Sequence, residues 1–180
     1  MTKRKFTARD GTSVVFREPR TSDAKLLMDF INAFVAEPMS GLLINKRVHL
    51  KEERAWLRGW LADIRNRKGV MLLVEADGSV KGNCTVSRLV WKSSHMADAG
   101  VALSMDIRGK GIGEALLRET IELARKRMRG LEMIQLRAFD YNERALKLYK
   151  KLGFVVVGRV PRANKEGNDY FDDVLMVKYL

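Results

Sequence analysis

The sequence predicts an α/β (α+β) fold, a mixed sheet with helices on both faces, from a single domain spanning residues 1–180. Three observations carry this. The apolar spacing switches repeatedly between the period of a strand and that of a helix, in the order β-α-α-β-β-β-α-β-α-β-β. The apolar run Val101-Ala102-Leu103-Ser104-Met105 passes through Arg108-Gly109-Lys110-Gly111-Ile112-Gly113 into an amphipathic stretch from Glu114 to Met128, so a strand feeds a helix through glycines. Ala76-Asp77-Gly78-Ser79 separates two strand-like runs as a hairpin turn.

Taken in order, residues 12–17 read as a strand that Pro19 ends, and Thr21-Ser22-Asp23 offers capping oxygens to a helix through about Asn32. Leu27, Phe30, Ile31 and Phe34 form its apolar side. After the break Glu37 to Gly41 and the apolar Leu42-Leu43-Ile44, a second helix covers residues 51–66, with Trp56, Trp60 and Ile64, and Leu57 and Leu61 beside them, as its expected core stripe. Strands follow at 70–75, 80–90 and 97–105, then the glycine loop and a helix carrying Leu117, Ile121, Ala124 and Met128 on one side, closed by Gly130. A strand at 132–138 precedes a helix that Asn142 caps and Gly153 closes, with Ala145, Leu148 and Leu152 as its stripe and Tyr149 beside it. Strands at 154–160 and 170–179 end the chain.

A hydrophobic share of 46% and a charged share of 31% describe a soluble globular protein with a sizeable core. No apolar run reaches the ~20 residues of a membrane span, and the basic N-terminus has no apolar stretch behind it. The single cysteine, Cys84, excludes an internal disulfide and fits a reducing, cytoplasmic setting. With only His49 and His95 beside it, no metal constellation is expected. The formal charge of +12 attracts anions in general. The bases are dispersed, with clusters at Lys3 to Lys5, Arg125 to Arg129 and Lys147 to Lys151, and no RNA-binding aromatic pattern accompanies them, so charge alone does not make a nucleic-acid binder.

A strand that runs through glycines into a helix N-terminus is an anion site: the first turn has unpaired N–H groups and a partial positive charge, and glycines let a phosphate approach closely. Arg108 and Lys110 add positive charge. The spacing fits neither a P-loop nor a dinucleotide fingerprint, which needs a glycine or alanine where Leu116 stands. Arg-x-x-Gly-x-Gly between strand and helix resembles the pyrophosphate loop of the GNAT superfamily, the acyl-CoA-dependent N-acyltransferases. The segment Asp140 to Phe154, with its Asn…Ala…Tyr…Leu-Gly-Phe skeleton, resembles the same superfamily's helix that crosses the cofactor. The resemblance covers residues 70–180 well and the first 65 loosely.

The resemblance implies a mostly antiparallel sheet splayed between the fourth and fifth strands, and acetyl-CoA as acyl donor with no metal. It implies that backbone groups of Leu103 and Met105, with Ser104 between them, pair with the pantetheine arm. It assigns the amides of Gly109, Lys110, Gly111, Ile112, Gly113 and Glu114, beside Arg108, to the pyrophosphate. Asn142 would touch the amide-rich arm, and Tyr149 would contact the cofactor and protonate the departing sulfur. A phenol (pKa about 10) matches a thiol leaving group and stays protonated at neutral pH. The base stays open. Asp98 stands where many relatives carry a glutamate and would act through water, His95 is an alternative, and an amine that arrives neutral needs none. Cys84 has no histidine near it in the sequence to activate it as a nucleophile.

The implied activity is acetyl transfer to a primary amine, with a free amino acid, a small amine or a protein N-terminus as acceptor. The ending Gly167-x-x-Tyr170-x-Asp172-x-x-x-Met176 resembles the branch that acts on free amino acids and similar amines, an ending also found in relatives that act on protein N-termini and polyamines. Loop Phe34 to Ile44 is expected to border the acceptor pocket, and the positive charge disfavours a polycation. The rival reading is a non-catalytic acyl-CoA-binding or regulatory domain that contacts nucleic acid through its basic surface. A homodimer is left open, and no membrane partner is expected.

Overall fold

The structure, a computed structural model, describes residues 3–37, 41 and 43–180. Its elements are β1 (Lys3–Thr7), β2 (Ser13–Arg17), α1 (Ala24–Val35), α2 (Leu50–Arg65), β3 (Gly69–Ala76), β4 (Ser79–Arg88) and β5 (Met96–Leu103), followed by α3 (Ile112–Arg127), β6 (Met133–Phe139), α4 (Glu143–Lys151), β7 (Val155–Glu166) and β8 (Asp169–Tyr179). The described residues form one 8-stranded sheet in the order β1-β2-β3-β4-β5-β6-β8-β7. Neighbouring strands are antiparallel except β5 and β6, which run parallel.

Strand alternation sorts side chains onto two faces. One face carries Phe16, Leu72, Cys84, Val86, Ile134 and Met176, and packs against Leu116, Leu117 and Ala124 of α3 and against α4. The other carries Met71, Leu73, Val80 and Ala102, covered by Leu27, Phe30 and Phe34 of α1 and Leu57 of α2. Each such side chain contributes ~1.5–3 kcal/mol on full burial. The hairpin between β3 and β4 turns on Asp77 and Gly78, both at positive φ, which is the backbone a two-residue turn between twisted strands requires. At the head of α1 the Arg17 guanidinium meets Asp23 with two hydrogen bonds of 2.7 and 2.9 Å and also pairs with Glu75. This buried network joins β2, β3 and the approach to α1, and the two carboxylates hold the Arg17 pKa above its ordinary value.

The parallel pair is where the sheet opens. β5 and β6 register only at Met96↔Met133, Ala97↔Ile134 and Asp98↔Gln135. Beyond that, β5 stays with β4 as far as Leu103 while β6 stays with β8 as far as Phe139. The splay expected between the fourth and fifth strands is this split, the strands being the fifth and sixth once β1 is included.

Several expectations need correcting. β1 was not anticipated, because its sequence is basic with one apolar residue, Phe6, which stacks on Phe16 at 5.5 Å. The inward stripe of α2 is centred on the Leu57 side of the expected one: Leu57 is buried, Trp60, Leu61 and Ile64 are half-buried, and Trp56 is 41% exposed. At α4 Leu152 of the expected stripe is buried together with Tyr149, while Ala145 and Leu148 are half-buried against the same core. β5 ends at Leu103, and Met105 begins a short 3₁₀ turn. β7 does not stop at Val160: it passes Pro161 through a bulge between Val160 and Asn164 and continues to Glu166.

Candidate active site

α3 begins at Ile112, with Gly111 as its N-cap at φ +82° and Gly109 at φ +83°. Left-handed backbone at both positions is what glycine permits without penalty. Between them they turn the chain from the end of β5 into the helix. The first backbone bond of the helix is Ala115 N–H to the Gly111 carbonyl at 3.1 Å. Among the described residues, the consecutive N–H groups of Gly109, Lys110, Gly111, Ile112, Gly113 and Glu114 have no acceptor in the backbone or in any side chain. A Cβ at Gly111 would meet nothing within 4 Å, so the space in front of these amides is open. Such a row of donors at the positive end of a helix fits a pyrophosphate.

The charged residues of the loop are placed differently from what the sequence suggested. Arg108 is anchored: its Nε donates to the Leu103 carbonyl at 2.7 Å, its Nη2 donates to Glu37, and its guanidinium lies 4.8 Å from the Phe34 ring centre. It therefore ties the end of α1 to the end of β5. Lys110 lies 3.1 Å from Asp10 and donates to Thr12. The Thr12 N–H, with Lys110 behind it, holds the Asp10 carboxyl down at about 2. Glu114 accepts from Lys151 and Arg118, and the Lys151 ammonium lowers its pKa most.

Along β5, Ser104 N–H donates to Lys81 O at 2.8 Å, so strand alternation directs the main-chain groups of Ala99, Val101 and Leu103 away from β4 and toward the split. The Leu103 carbonyl is taken by Arg108, and its N–H faces the gap. Ser104 has both main-chain groups engaged, its carbonyl accepting from Ile107 N–H, and the Met105 carbonyl accepts from Arg108 N–H. The Met105 side chain is 61% exposed at the mouth.

α4 crosses the same face. Asn142 Oδ1 accepts from Ala145 N–H at 3.1 Å and so caps the helix, which leaves the Asn142 Nδ2 end facing Gly41. At the other end Gly153 N–H bonds Lys150 O and Phe154 N–H bonds Tyr149 O, each at 3.0 Å, with Gly153 at φ +86°. This double closure is the Schellman arrangement, and it explains the Leu-Gly-Phe sequence: it sets the Phe154 ring 6.0 Å from that of Tyr149. Tyr149 is 7% exposed in the larger core, and desolvation, with the Cys84 thiol next, raises its pKa well above the ordinary phenol value. Burial also pushes the Cys84 thiol up to about 12. That thiol is inert.

Asp98 is exposed and accepts from Gln135 Nε2 at 2.7 Å across the last paired position of β5 and β6. Alternation places it on the α1–α2 face, opposite Tyr149. His95 is exposed, and its carbonyl accepts from the N–H groups of Glu132 and Met133. Of the proposed acceptor loop, Pro38, Met39, Ser40 and Leu42 lie outside the described residues. Among the described residues no three His, Cys, Asp or Glu side chains gather as metal ligands, and no helix is long and apolar enough to cross a membrane. Of the basic cluster Arg125 to Arg129, Lys126, Arg127 and Arg129 line, with Arg65 and Arg67, a shallow hollow at the far end of α3.

Two features were not read from the sequence. Glu53, in α2, is 6% exposed, has no cation or donor beside it among the described residues, and burial pushes its pKa up to about 7. No pattern marks it, since its position on the buried face depends on how α2 is rotated. Arg144, in α4, reaches the glycine loop: a Cβ built on Gly109 would collide with its Nη2.

Comparison with known proteins agrees with this geometry. Residues 36–154 match the Acetyltransferase (GNAT) family. The L-amino acid N-acetyltransferase AaaT of Escherichia coli (strain K12) is 31% identical over 121 residues, which span 66% of this chain and 74% of that protein. The crystal structure of a GNAT-family acetyltransferase from Streptococcus pneumoniae superposes with a TM-score of 0.83 at 25% identity, covering 93% of this chain and 99% of that one. That of yncA from Salmonella typhimurium, solved with its cofactor acetyl-CoA, gives 0.80 at 20% identity over 93% and 94% of the two chains. The chain belongs to the GNAT family, and it is an acetyl-CoA-dependent N-acetyltransferase.

Proposed function

We propose that this acetyltransferase, a single domain over residues 1–180, acetylates the α-amine of a free amino acid or a similar small amine, with a protein N-terminus as the second reading. The row of free amides from Gly109 to Glu114, beside a split that exposes main-chain groups of β5, is the observation that carries the donor half. The acceptor half is supported by the likeness to an L-amino acid N-acetyltransferase.

The donor supplies an acyl group already activated as a thioester. The loop amides neutralise its phosphates, and the split-facing groups of Val101 and Leu103 align its arm as a strand partner would, so the acyl carbon is held in line for an amine. The Leu103 N–H polarises the acyl carbonyl. Tyr149 keeps its proton at any physiological pH because it is buried, and delivers it to the departing sulfur. Asp98, facing water on the other side of the split, takes the amine's proton through solvent, or the amine arrives neutral. Asn142 orients the N-terminus of α4 against the arm. Arg108 joins donor loop to acceptor side, since Glu37 and Phe34 belong to the end of α1 and the loop after it. A cytoplasmic location belongs to the same proposal, supported by the lone buried thiol, and the exposed valines 155–157 on edge strand β7 are where a homodimer contact would form.

The deciding experiment is thiol release from acetyl-CoA against a panel of L-amino acids, polyamines, aminoglycosides and N-terminal peptides. Turnover highest with one or a few amino acids supports the proposal. Turnover confined to peptides moves the acceptor to protein N-termini.

A further inference from the structure

The positive charge that the sequence places in the glycine loop is not free in the folded chain. Arg108 is held by Glu37 and Lys110 by Asp10. The other cations around the N-termini of α3 and α4 are likewise paired: Arg118 and Lys151 share Glu114, and Lys147 has Glu143. Arg144 is the exception among the described residues of this neighbourhood, with neither a carboxylate nor a hydrogen-bond acceptor. It is exposed, yet its guanidinium does not trail into solvent. It lies across Gly109, at the start of the free amides, and a Cβ there would push it aside. A guanidinium held unpaired over a row of vacant N–H donors presents a planar fork beside a helix N-terminus, which is the arrangement that binds phosphate oxygens in bidentate fashion.

The geometry points to Arg144 as the side chain that clamps the donor's pyrophosphate against the Gly109–Glu114 amides, with Arg108 and Lys110 serving as structural ties. The assignment rests on the acetyl-CoA reading above and adds to it a residue from a different element. It also gives Gly109 a second requirement besides its φ: any side chain there displaces the clamp.

Calorimetry with CoA and with 3′-dephospho-CoA, on the wild type, Arg144→Ala, Arg144→Lys and Lys110→Ala, tests it. A charge-assisted bidentate contact is worth ~1.5–3 kcal/mol, so Arg144→Ala should weaken both ligands by the same factor, roughly tenfold to a hundredfold. Arg144→Lys should recover part of the loss, and Lys110→Ala should change affinity by less than Arg144→Ala. The kcat/KM for S-acetyl-pantetheine, which has no pyrophosphate, should be unchanged in Arg144→Ala. Unaltered CoA affinity in Arg144→Ala overturns the inference, as does a loss seen with CoA alone, which would put the 3′-phosphate there. An equal loss with S-acetyl-pantetheine overturns it too, by making the residue structural. Wild-type protein that binds no CoA would overturn the donor reading and the clamp together, whereas normal wild-type binding with an indifferent Arg144→Ala refutes the clamp alone.

Discussion

The two faces of the sheet do different work with different materials. On the α3–α4 face the functional features are backbone: two left-handed glycines, a row of amides without acceptors, the main chain of β5 turned into a gap, and a helix closed by Gly153 so that Tyr149 lies against Phe154. On the α1–α2 face they are side chains: the Arg17–Asp23–Glu75 network, the isolated Glu53 and the solvent-facing Asp98. A backbone site tolerates varied side chains, provided that glycines stand where φ is positive. A side-chain site depends on which way each helix is rotated, and small changes in sequence re-aim it. The proposed donor site is of the first kind, and the proposed acceptor side is of the second.

Substitutions should separate the two faces, and the largest effect is expected on the α3–α4 side. Tyr149→Phe keeps the ring, its packing on Phe154 and the helix, and removes only the transferable proton. General acid catalysis is typically worth ~10²–10⁴-fold, so kcat should fall by that factor. CoA affinity by calorimetry and the melting temperature should hardly move, since the hydroxyl has no hydrogen-bond partner among the described residues. Near-normal kcat on the true acceptor would make Tyr149 a packing residue.

Glu53 probes the other face. Its folded pKa, about 7, lies above the 4.5 of an ordinary glutamate, so the folded state holds the proton more tightly than the unfolded chain does. Stability contributed by this group is therefore full below about pH 4.5 and declines as pH rises toward 7, by at most about 3 kcal/mol. Glu53→Gln removes the ionisation and should raise the melting temperature at pH 8 relative to the wild type, with the difference vanishing near pH 4.5. CoA affinity should stay the same throughout. A pH-independent difference would mean that the Glu53 pKa does not change on folding.

Asn142→Ala should have the smallest effect and touch both stability and binding. Loss of the cap to Ala145 costs ~1 kcal/mol, read as a lower denaturation midpoint, with a modest loss of CoA affinity as the start of α4 loosens. A loss of affinity with no loss of stability would assign Asn142 to the ligand and not to the helix.

The same contrast explains what could be read in advance. The loop after β5 and the frame of α4 are local: glycine at positive φ, an Asn cap and a Gly-Phe closure leave their mark within a few residues, so the geometry of these two segments was legible. Its electrostatics were not, because Arg108 and Lys110 find acids 71 and 100 residues away in sequence, at Glu37 and Asp10, and the cation left over the loop comes from α4. Of the stripe expected on α2, Leu57 is buried but Trp56 is turned out, and Glu53 is turned in, a choice made by α1 and β3. β1 has lysine and arginine at an open edge, where charge guards against pairing with another chain, and so lacks an apolar alternation to reveal it. The strand read at 154–160 runs on to Glu166 because a bulge absorbs Pro161.

The central claim is that the donor's pyrophosphate sits on the free amides between Gly109 and Glu114. The space above Gly111 is open and its φ of +82° is one a branched side chain does not adopt, so Gly111→Val both re-aims and blocks the amides and tests the claim, with far-ultraviolet circular dichroism to confirm that the variant is folded. Calorimetric titration with acetyl-CoA should give one-site binding to the wild type, and binding at least about tenfold weaker, or none, to folded Gly111→Val. Equal affinity in the two proteins would contradict the account and place the phosphates elsewhere.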